Sequence, residues 1–179
     1  TKLRFNISYS PIGYSKNNYS VNLDYKKNYN NLSQLFSVNF LSKRPNFFSK
    51  HYSNSLIWDW SIFKDIKQLT IRSSSFFFRY NLTADLYFNR SVNYFYFNSL
   101  AHPVQSFDPI LYFKVKFLKT FSLRNLSFNS LLYLQYSDHD ILSVPLLILN
   151  QEIVYKKSFI NDISLSTKLK GVVFSKYYP

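Results

Sequence analysis

The side chains most suited to chemistry in this sequence are a short acidic turn and three histidines. Asp138, His139 and Asp140 are consecutive, a composition that could suggest a metal or catalytic cluster. Consecutive residues point in different directions, however, so we interpret these three as a turn between two strands. The other histidines, His51 and His102, are distant in sequence and lie near the ends of apolar runs. Loop or interfacial positions therefore explain them better than metal binding.

Two tryptophans offer a second candidate site. Trp58 and Trp60 could form a stacking platform for a sugar or a base. They share one face of an alternating run with Leu56 and Ile62, which favours contact with lipid or with an apolar core. Asp59 faces the opposite side, where we expect it to pair with a neighbouring Lys or Arg.

Catalysis is not indicated by the remaining residues. The sequence contains no Cys, which excludes disulfides, thiolate zinc sites, iron–sulfur clusters and cysteine nucleophiles. Its two glycines, Gly13 and Gly171, form no phosphate-binding loop, and its single glutamate is Glu152. No Ser-His-Asp or paired-carboxylate arrangement at catalytic spacing is visible. We therefore predict a protein that is not an enzyme and holds neither a metal nor a cofactor.

The composition indicates a folded, strongly basic chain. Its 179 residues include 22 Lys and Arg against 9 Asp and Glu, a formal charge of +13, and 21% are aromatic. With 46% hydrophobic residues, intrinsic disorder is excluded. Abundant Asn, Lys, Ile, Tyr and Phe are also typical of an AT-rich genome, so part of the charge could reflect codon usage. Because the chain begins at Thr1 and contains no Met, we expect it to be a segment of a longer protein.

The elements that must position these side chains are strands. Apolar and polar residues alternate along most of the chain, and a period of two places successive side chains on opposite faces of a strand. The clearest alternation runs through 76–89, where Phe76, Leu82 and Phe88 fall on one predicted face. Turn-like clusters separate the runs and predict an all-β antiparallel meander of about eleven strands. The predicted strands are 1–10, 17–26, 34–42, 52–63, 66–73, 75–89, 91–98, 110–118, 124–136, 146–156 and 161–176.

The lengths of these runs bear on the membrane question. The longest apolar run, 144–149, is far shorter than the roughly 20 residues of a spanning helix. Several alternating runs exceed the strands of a soluble sandwich and are long enough to cross a bilayer at a tilt. The alternation favours an outer-membrane β-barrel, although a soluble sandwich with one solvated face fits it too. Aromatic girdle positions would be Tyr9, Tyr19, Tyr25, Phe88, Tyr94, Tyr136 and Tyr155.

Four passages resemble a known family. They are HYSNSLIWDW at 51–60, VNYFYFNSLAHPVQ at 92–105, LLYLQYSDHDILSVP at 131–145 and GVVFSKYYP at 171–179. In this order they are similar to the Bacteroidetes putative porins, which are outer-membrane barrel proteins of several hundred residues. The resemblance implies that 1–179 is a single barrel domain or a segment of a larger barrel, located in the cell outer membrane.

The same alternation indicates which residues would line a pore. If the apolar faces contact outer-membrane lipid, the alternate residues face the lumen, where Lys and Arg favour anions through their electric field. This predicts passive diffusion of small hydrophilic solutes, with anion preference as the sharper hypothesis and unselective solvated side chains as the alternative. The predicted lining residues are Arg79, Asn81, Asp85, Lys114, Lys116, Asn129, Lys168 and Lys170, together with Ser127 and Gln135.

Two alternatives belong to other functional classes. A basic, aromatic chain could track RNA phosphates and stack on bases, as a ribosomal protein from an AT-rich genome would. The basic residues are spread among the runs rather than gathered in a stripe, and the sequence has no basic tail or RNP-like motif. A nucleic-acid partner is therefore not expected. The second alternative is a soluble β-sandwich that acts as an interaction module.

Overall fold

The alternating runs form long strands. The computed structural model describes residues 1–45, 63–100, 102–158 and 164–177. Strands account for most of the described chain, and the longest has 14 residues. Their bounds are β1 (Lys2–Tyr9), β2 (Tyr19–Asn28), β3 (Leu32–Lys43), β4 (Ile66–Phe77), β5 (Leu82–Val92), β6 (Phe95–Phe97), β7 (Pro103–Gln105), β8 (Ile110–Leu123), β9 (Leu126–Ser137), β10 (Leu147–Ser158) and β11 (Ser164–Phe174).

Nine of these strands form one antiparallel sheet in the order β1-β2-β3-β4-β5-β8-β9-β10-β11. The short strands β6 and β7 pair with each other and form a hairpin outside this sheet. The prediction of an all-β antiparallel meander is confirmed. Within the described residues the outer edges of β1 and β11 carry no neighbouring strand, so the sheet is open, which is consistent with part of a barrel. In the same residues, no helix is long and apolar enough to cross a membrane.

The prediction of one continuous strand over 75–89 is wrong. Phe78–Tyr80 form a single 3-10 turn, and Asn81 follows in the left-handed conformation with a φ of 45°. Asn tolerates this conformation, which allows the chain to reverse. The alternation continued through the turn because aromatic residues occupy both the turn and the adjacent strands, so periodicity alone could not detect the reversal.

The reversal also changes which residues share a face. Phe77 pairs with Leu82 across the turn, so these two side chains lie on the same side of the sheet, and Phe76 lies on the other. Two further strand predictions differ from the structure. The predicted strand 91–98 is divided between the end of β5 and the short β6, and β7 was not predicted. The predicted strand 52–63 lies outside the described residues apart from Phe63. The same is true of the two tryptophans, Asp59 and His51.

The nine-stranded sheet has one apolar and one polar face, because directly paired residues of neighbouring strands share a face. Adjacent rows across the sheet make the contrast clear. The apolar row is Phe5, Leu23, Val38, Ile71, Phe88, Phe113 and Tyr136, and the next row is Arg4, Asp24, Ser37, Arg72, Tyr87, Lys114 and Gln135.

No second layer covers the apolar face in the described part of the chain. In those residues the only buried hydrophobic side chains are Ile66 and Ile110, at 8% and 1% exposure, and both lie on the polar face. By contrast, Leu3 and Val173 on the apolar face are 69% and 67% exposed. The described strands therefore do not form the two packed layers of a sandwich, and their apolar face requires an apolar environment that these strands do not provide.

Polar and aromatic residues mark the borders of the apolar face. The three acidic residues of the described strands, Asp24, Asp85 and Glu152, all lie on the polar face. The cations of the apolar face lie towards strand ends, at Lys27, Lys67, Arg90, Lys119 and Lys157. Aromatic side chains recur along this face, at Tyr9, Tyr19, Phe40, Phe88, Phe113 and Tyr136 towards one end of their strands, at Tyr25, Phe77, Phe121, Phe128 and Tyr155 towards the other, and at Phe5, Phe36 and Phe117 between them. Of the predicted girdle residues, Tyr94 lies outside the strands.

The two ends of the sheet differ in their connections. At one end, here called the turn end, the strands are joined by the short segments 29–31, 78–81, 124–125 and 159–163. At the opposite end, here called the loop end, they are joined by the longer segments 10–18, 44–65, 93–109 and 138–146. This division follows from the meander, because alternate connections fall at opposite ends.

We expect Arg124→Gly to stabilise the protein by about 0.5–1 kcal/mol. Arg124 is the first of the two residues that connect β8 to β9, and its φ of 50° lies in the left-handed region. Two-residue hairpin turns place glycine at such positions because a Cβ atom is strained there. The midpoint of urea-induced unfolding in lipid vesicles measures the effect.

The matched control is Arg79→Gly, at the same end of the sheet. The φ of Arg79 is not in the left-handed region, so glycine should lower the midpoint, because it increases the entropy of the unfolded chain and removes the cation–π contact of Arg79 with Tyr80. An equal change of the midpoint in both variants would contradict the strain at Arg124.

Candidate pore-lining face

The structure divides the predicted lining residues into two groups. Asp85, Lys114, Lys116, Asn129, Lys168 and Lys170 all lie on the polar face of the sheet, as do Ser127 and Gln135. Arg79 and Asn81 instead lie in the turn between β4 and β5, beyond the strand ends. They were predicted to face the lumen because they alternate with apolar residues in the run that this turn interrupts.

Asp85 is the centre of the first polar cluster. Its carboxylate accepts a hydrogen bond from the Ser74 hydroxyl and lies 3.4 Å from Lys116 Nζ and 3.7 Å from Arg72 Nη2. Ser74 and Lys116 are its direct partners on β4 and β8, and Arg72 is a diagonal neighbour. Asp85 is only 8% exposed, so a carboxylate at this position needs these partners to offset its desolvation. We name these four residues the Asp85 cluster.

A group of tyrosines lies beside the Asp85 cluster on the same face. Lys114 Nζ lies 5.3 Å from the ring centroid of Tyr87 and 5.8 Å from that of Tyr133, within range of cation–π attraction. The rings of Tyr87 and Tyr112 meet edge to face with centroids 5.9 Å apart. The Tyr112 hydroxyl donates a hydrogen bond of 2.9 Å to Gln135 Oε1. Tyr87 on β5 and Tyr133 on β9 thus contact the Lys114 side chain from the two strands that flank β8.

No functional role was predicted from the sequence for Tyr87, Tyr112 and Tyr133. Aromatic residues were expected on the lipid side, and the amphipathic character of tyrosine allows it on either face. Their positions in the alternation could have indicated the polar face, because each of the three alternates with the apolar residues of its own strand.

A second ionic cluster lies on β10 and β11. Lys168 Nζ is 2.7 Å from Glu152 Oε2, and Asn129 Nδ2 donates a hydrogen bond of 3.2 Å to Glu152 Oε1. Lys170 is the direct cross-strand partner of Glu152. Three of the predicted lining residues therefore surround an acid that was not predicted to line the pore. The Lys168 side chain is 57% exposed, so this pair contributes little to stability.

Basic residues outnumber acidic ones on the polar face. Besides the two ionic clusters, Arg4 lies directly opposite Asp24 on β1 and β2. The acids are Asp24, Asp85 and Glu152, whereas the basic residues are Lys2, Arg4, Lys26, Lys43, Arg72, Lys114, Lys116, Lys156, Lys168 and Lys170. The face is therefore polar along its length and carries a net positive charge.

The acidic turn has a structural role in the described residues. Asp138 follows β9, and its Oδ1 accepts a hydrogen bond of 2.7 Å from the backbone N–H of Leu111. The Ser137 hydroxyl donates a hydrogen bond to the His139 carbonyl and accepts one from the His139 N–H. His102 lies between β6 and β7. Asp138, His139 and Asp140 thus form the predicted turn. Nowhere in the described chain do three His, Cys, Asp or Glu side chains converge as metal ligands would.

We expect Asp85→Asn to destabilise the protein by about 1–2 kcal/mol. The amide can still accept the hydrogen bond from Ser74, but it no longer offsets the charges of Lys116 and Arg72. The midpoint of urea-induced unfolding measures the loss. Asp24→Asn is the control, because Asp24 lies on the same face and is half-exposed, so its removal should change stability by about 0.5 kcal/mol or less. Equal losses in the two variants would contradict the role of the Asp85 cluster.

Comparison with known proteins gives one match. A family model described as Putative porin matches residues 1–179, the whole chain. No curated protein and no solved structure matches the chain.

Proposed function

The chain belongs to the putative porin family, and from this premise we propose that it forms part of the wall of an outer-membrane channel through which small hydrophilic solutes diffuse passively. The observation that carries the proposal is the asymmetry of the nine-stranded sheet. One face is apolar and uncovered, and the other carries the Asp85 cluster, the tyrosines and the remaining charges. A sheet of this kind separates hydrocarbon from water when it is part of a closed barrel.

The features of the apolar face support contact with lipid. The aromatic residues towards the two ends of the strands are where the two girdles of a transmembrane barrel lie, at the level of the lipid head groups. Lys27, Lys67 and Lys157 lie within two residues of strand ends, where a long side chain can extend its charge to the membrane surface. All described strand acids avoid this face. The partners of the channel would accordingly be outer-membrane lipid and the solutes themselves.

The connections support one orientation across the membrane. Outer-membrane barrels have short turns on the periplasmic side and longer loops outside the cell. By this rule the loop end faces outward and the turn end faces the periplasm.

Thiol labelling tests this orientation, because the sequence contains no Cys and an introduced one is the only target in it. Ile12 is 81% exposed in a loop-end connection, and Asn30 is exposed in a turn-end connection. We expect a membrane-impermeant maleimide to label Ile12→Cys in intact cells and Asn30→Cys only after the outer membrane is permeabilised. The reverse pattern would contradict the orientation, and labelling of both in intact cells would contradict the membrane location.

The excess of basic residues on the polar face supports anion preference. Lys114 and Lys116 lie at mid-sheet on β8, where a charge acts on solutes passing along the wall. We expect the double variant Lys114→Gln, Lys116→Gln to reduce the anion-to-cation permeability ratio by about twofold, because it removes two positive charges from the lumen. Reversal potentials across planar bilayers under a salt gradient measure the ratio.

The control for this experiment lies on the same strand. Lys119 belongs to the opposite, apolar face of β8, so Lys119→Gln should leave the reversal potential unchanged. A native channel that prefers cations, or an equal shift from Lys119→Gln, would overturn the assignment of the polar face as an anion-preferring lumen.

A further inference from the structure

An apolar patch interrupts the polar face on the last four strands of the nine-stranded sheet. On β1 and β2 this face carries only charged, Asn and Ser side chains. On β8, β9, β10 and β11, by contrast, apolar residues become consecutive at 117–118, 131–134, 147–149 and 172–174, so both faces receive apolar side chains there. We name those that fall on the polar face the inner apolar patch. They are Leu118, Leu131, Tyr133, Ile148, Val172 and Phe174.

The register between the strands brings these side chains together in two adjacent rows. Neighbouring strands lie about 4.8 Å apart, and successive residues on one face of a strand lie about 7 Å apart. The patch therefore extends roughly 14 Å across the four strands and roughly 7 Å along them. One row consists of Tyr133, Ile148 and Phe174, and the other of Leu118, Leu131, Asn150 and Val172.

The inner apolar patch is open to solvent in the part of the chain that the structure describes. Val172 and Phe174 are 50% and 58% exposed, and the other side chains of the patch are half-buried. A strand that pairs with the free edge of β11 would lie beside these side chains and would not cover the face above them. Exposed apolar patches with a polar rim are typical of binding sites.

Lys114 provides a positive charge at one border of the patch. Its Nζ lies 5.8 Å from the centroid of the Tyr133 ring. None of the carboxylates in the described residues forms an ion pair with Lys114. Gln135, the direct partner of Lys114, accepts the hydrogen bond of Tyr112 through Oε1, so its amide nitrogen is able to donate one. This border of the patch therefore suits an anionic group.

The size of the patch favours a small molecule over a protein segment as its occupant. Stable protein–protein interfaces bury about 800 Å² on each partner. A surface of roughly 14 by 7 Å is several times smaller. An extended acyl chain of about eight carbons, with bonds of about 1.5 Å, fits within the longer dimension. Because Lys114 lies at the border, charge complementarity selects an acyl chain that ends in a carboxylate.

We propose that the inner apolar patch and Lys114 form a binding site for amphipathic carboxylates, such as medium-chain fatty acids, on the wall of the channel. This inference rests on the proposed function, because it takes the polar face as the wall of a water-filled lumen. The acyl chain lies across Tyr133, Leu131 and Ile148, and the carboxylate accepts hydrogen bonds from Lys114 Nζ and the Gln135 amide.

Equilibrium dialysis of radiolabelled octanoate against the full-length protein in lipid nanodiscs, with empty nanodiscs as the blank, tests the apolar part of the site. Val172→Thr keeps the shape of the side chain and replaces a methyl group by a hydroxyl, so we expect octanoate to bind about three- to fivefold more weakly. Val173→Thr is the matched control, because the adjacent side chain lies on the opposite face and its substitution should leave binding native. Equal effects of the two substitutions would overturn the site, as would native binding of octanoate no tighter than that of acetate.

The same assay tests the charged part of the site. Lys114→Gln should weaken octanoate binding about three- to fivefold, because the carboxylate loses its cation. Lys119→Gln, on the opposite face of the same strand, should leave it native. Octylammonium carries the same chain with the opposite charge, and its binding to the native protein as tightly as octanoate would overturn the role of Lys114.

Thiol protection locates the site without relying on affinity differences. The sequence contains no Cys, so Val172→Cys introduces a single thiol into it. We expect octanoate at twice its dissociation constant to slow the labelling of Val172→Cys by a water-soluble maleimide about threefold, because about one third of the sites remain empty, and acetate to have no effect. Labelling that octanoate does not slow would overturn the site while leaving the channel function in place. Labelling of Val173→Cys in place of Val172→Cys would overturn the proposed function, because water would then contact the opposite face.

Discussion

The structure depends on one requirement, which is that something other than the described strands must cover the apolar face of a single-layered sheet. A soluble domain buries such a face against a second layer, and each fully buried Leu, Val or Phe side chain then contributes about 1.5–3 kcal/mol. Here the only hydrophobic side chains buried in the described strands are Ile66 and Ile110, and both lie on the polar face, while Leu3, Phe5 and Leu169 on the apolar face remain largely exposed. Hydrocarbon satisfies this requirement without a second layer, and it also explains the strand lengths. The same environment forbids unpaired strand edges, so β1 and β11 must be paired when the sheet is in a membrane.

The requirement has consequences for the opposite face. Once hydrocarbon covers one side, charges can be placed only on the other side or near the strand ends, and this is how the charged residues are distributed. Asp85 is acceptable at 8% exposure because Ser74, Lys116 and Arg72 reach it from the two neighbouring strands. Paired strands place such partners at fixed distances, so the stability of the cluster follows from the register. In the proposed channel, the basic residues in excess of the acids would face the solvent of the lumen.

Much of this arrangement could be predicted from the sequence, because a period of two is a direct signature of a strand with two different faces. Alternation placed Lys114, Lys116, Lys168 and Lys170 on the polar face correctly. It failed at Arg79 and Asn81, since they alternate with Phe78 and Tyr80 in a turn that continues the same pattern while reversing the chain.

The partners of these residues were less accessible to sequence reasoning. That Lys116 and Ser74 contact Asp85 depends on the register between strands, which periodicity does not give. The tyrosines beside Lys114 were missed because an aromatic side chain suits either face. The position of the β6–β7 hairpin depends on Gln105 reaching the backbone of Lys64, 41 residues away, and no local pattern encodes such a contact.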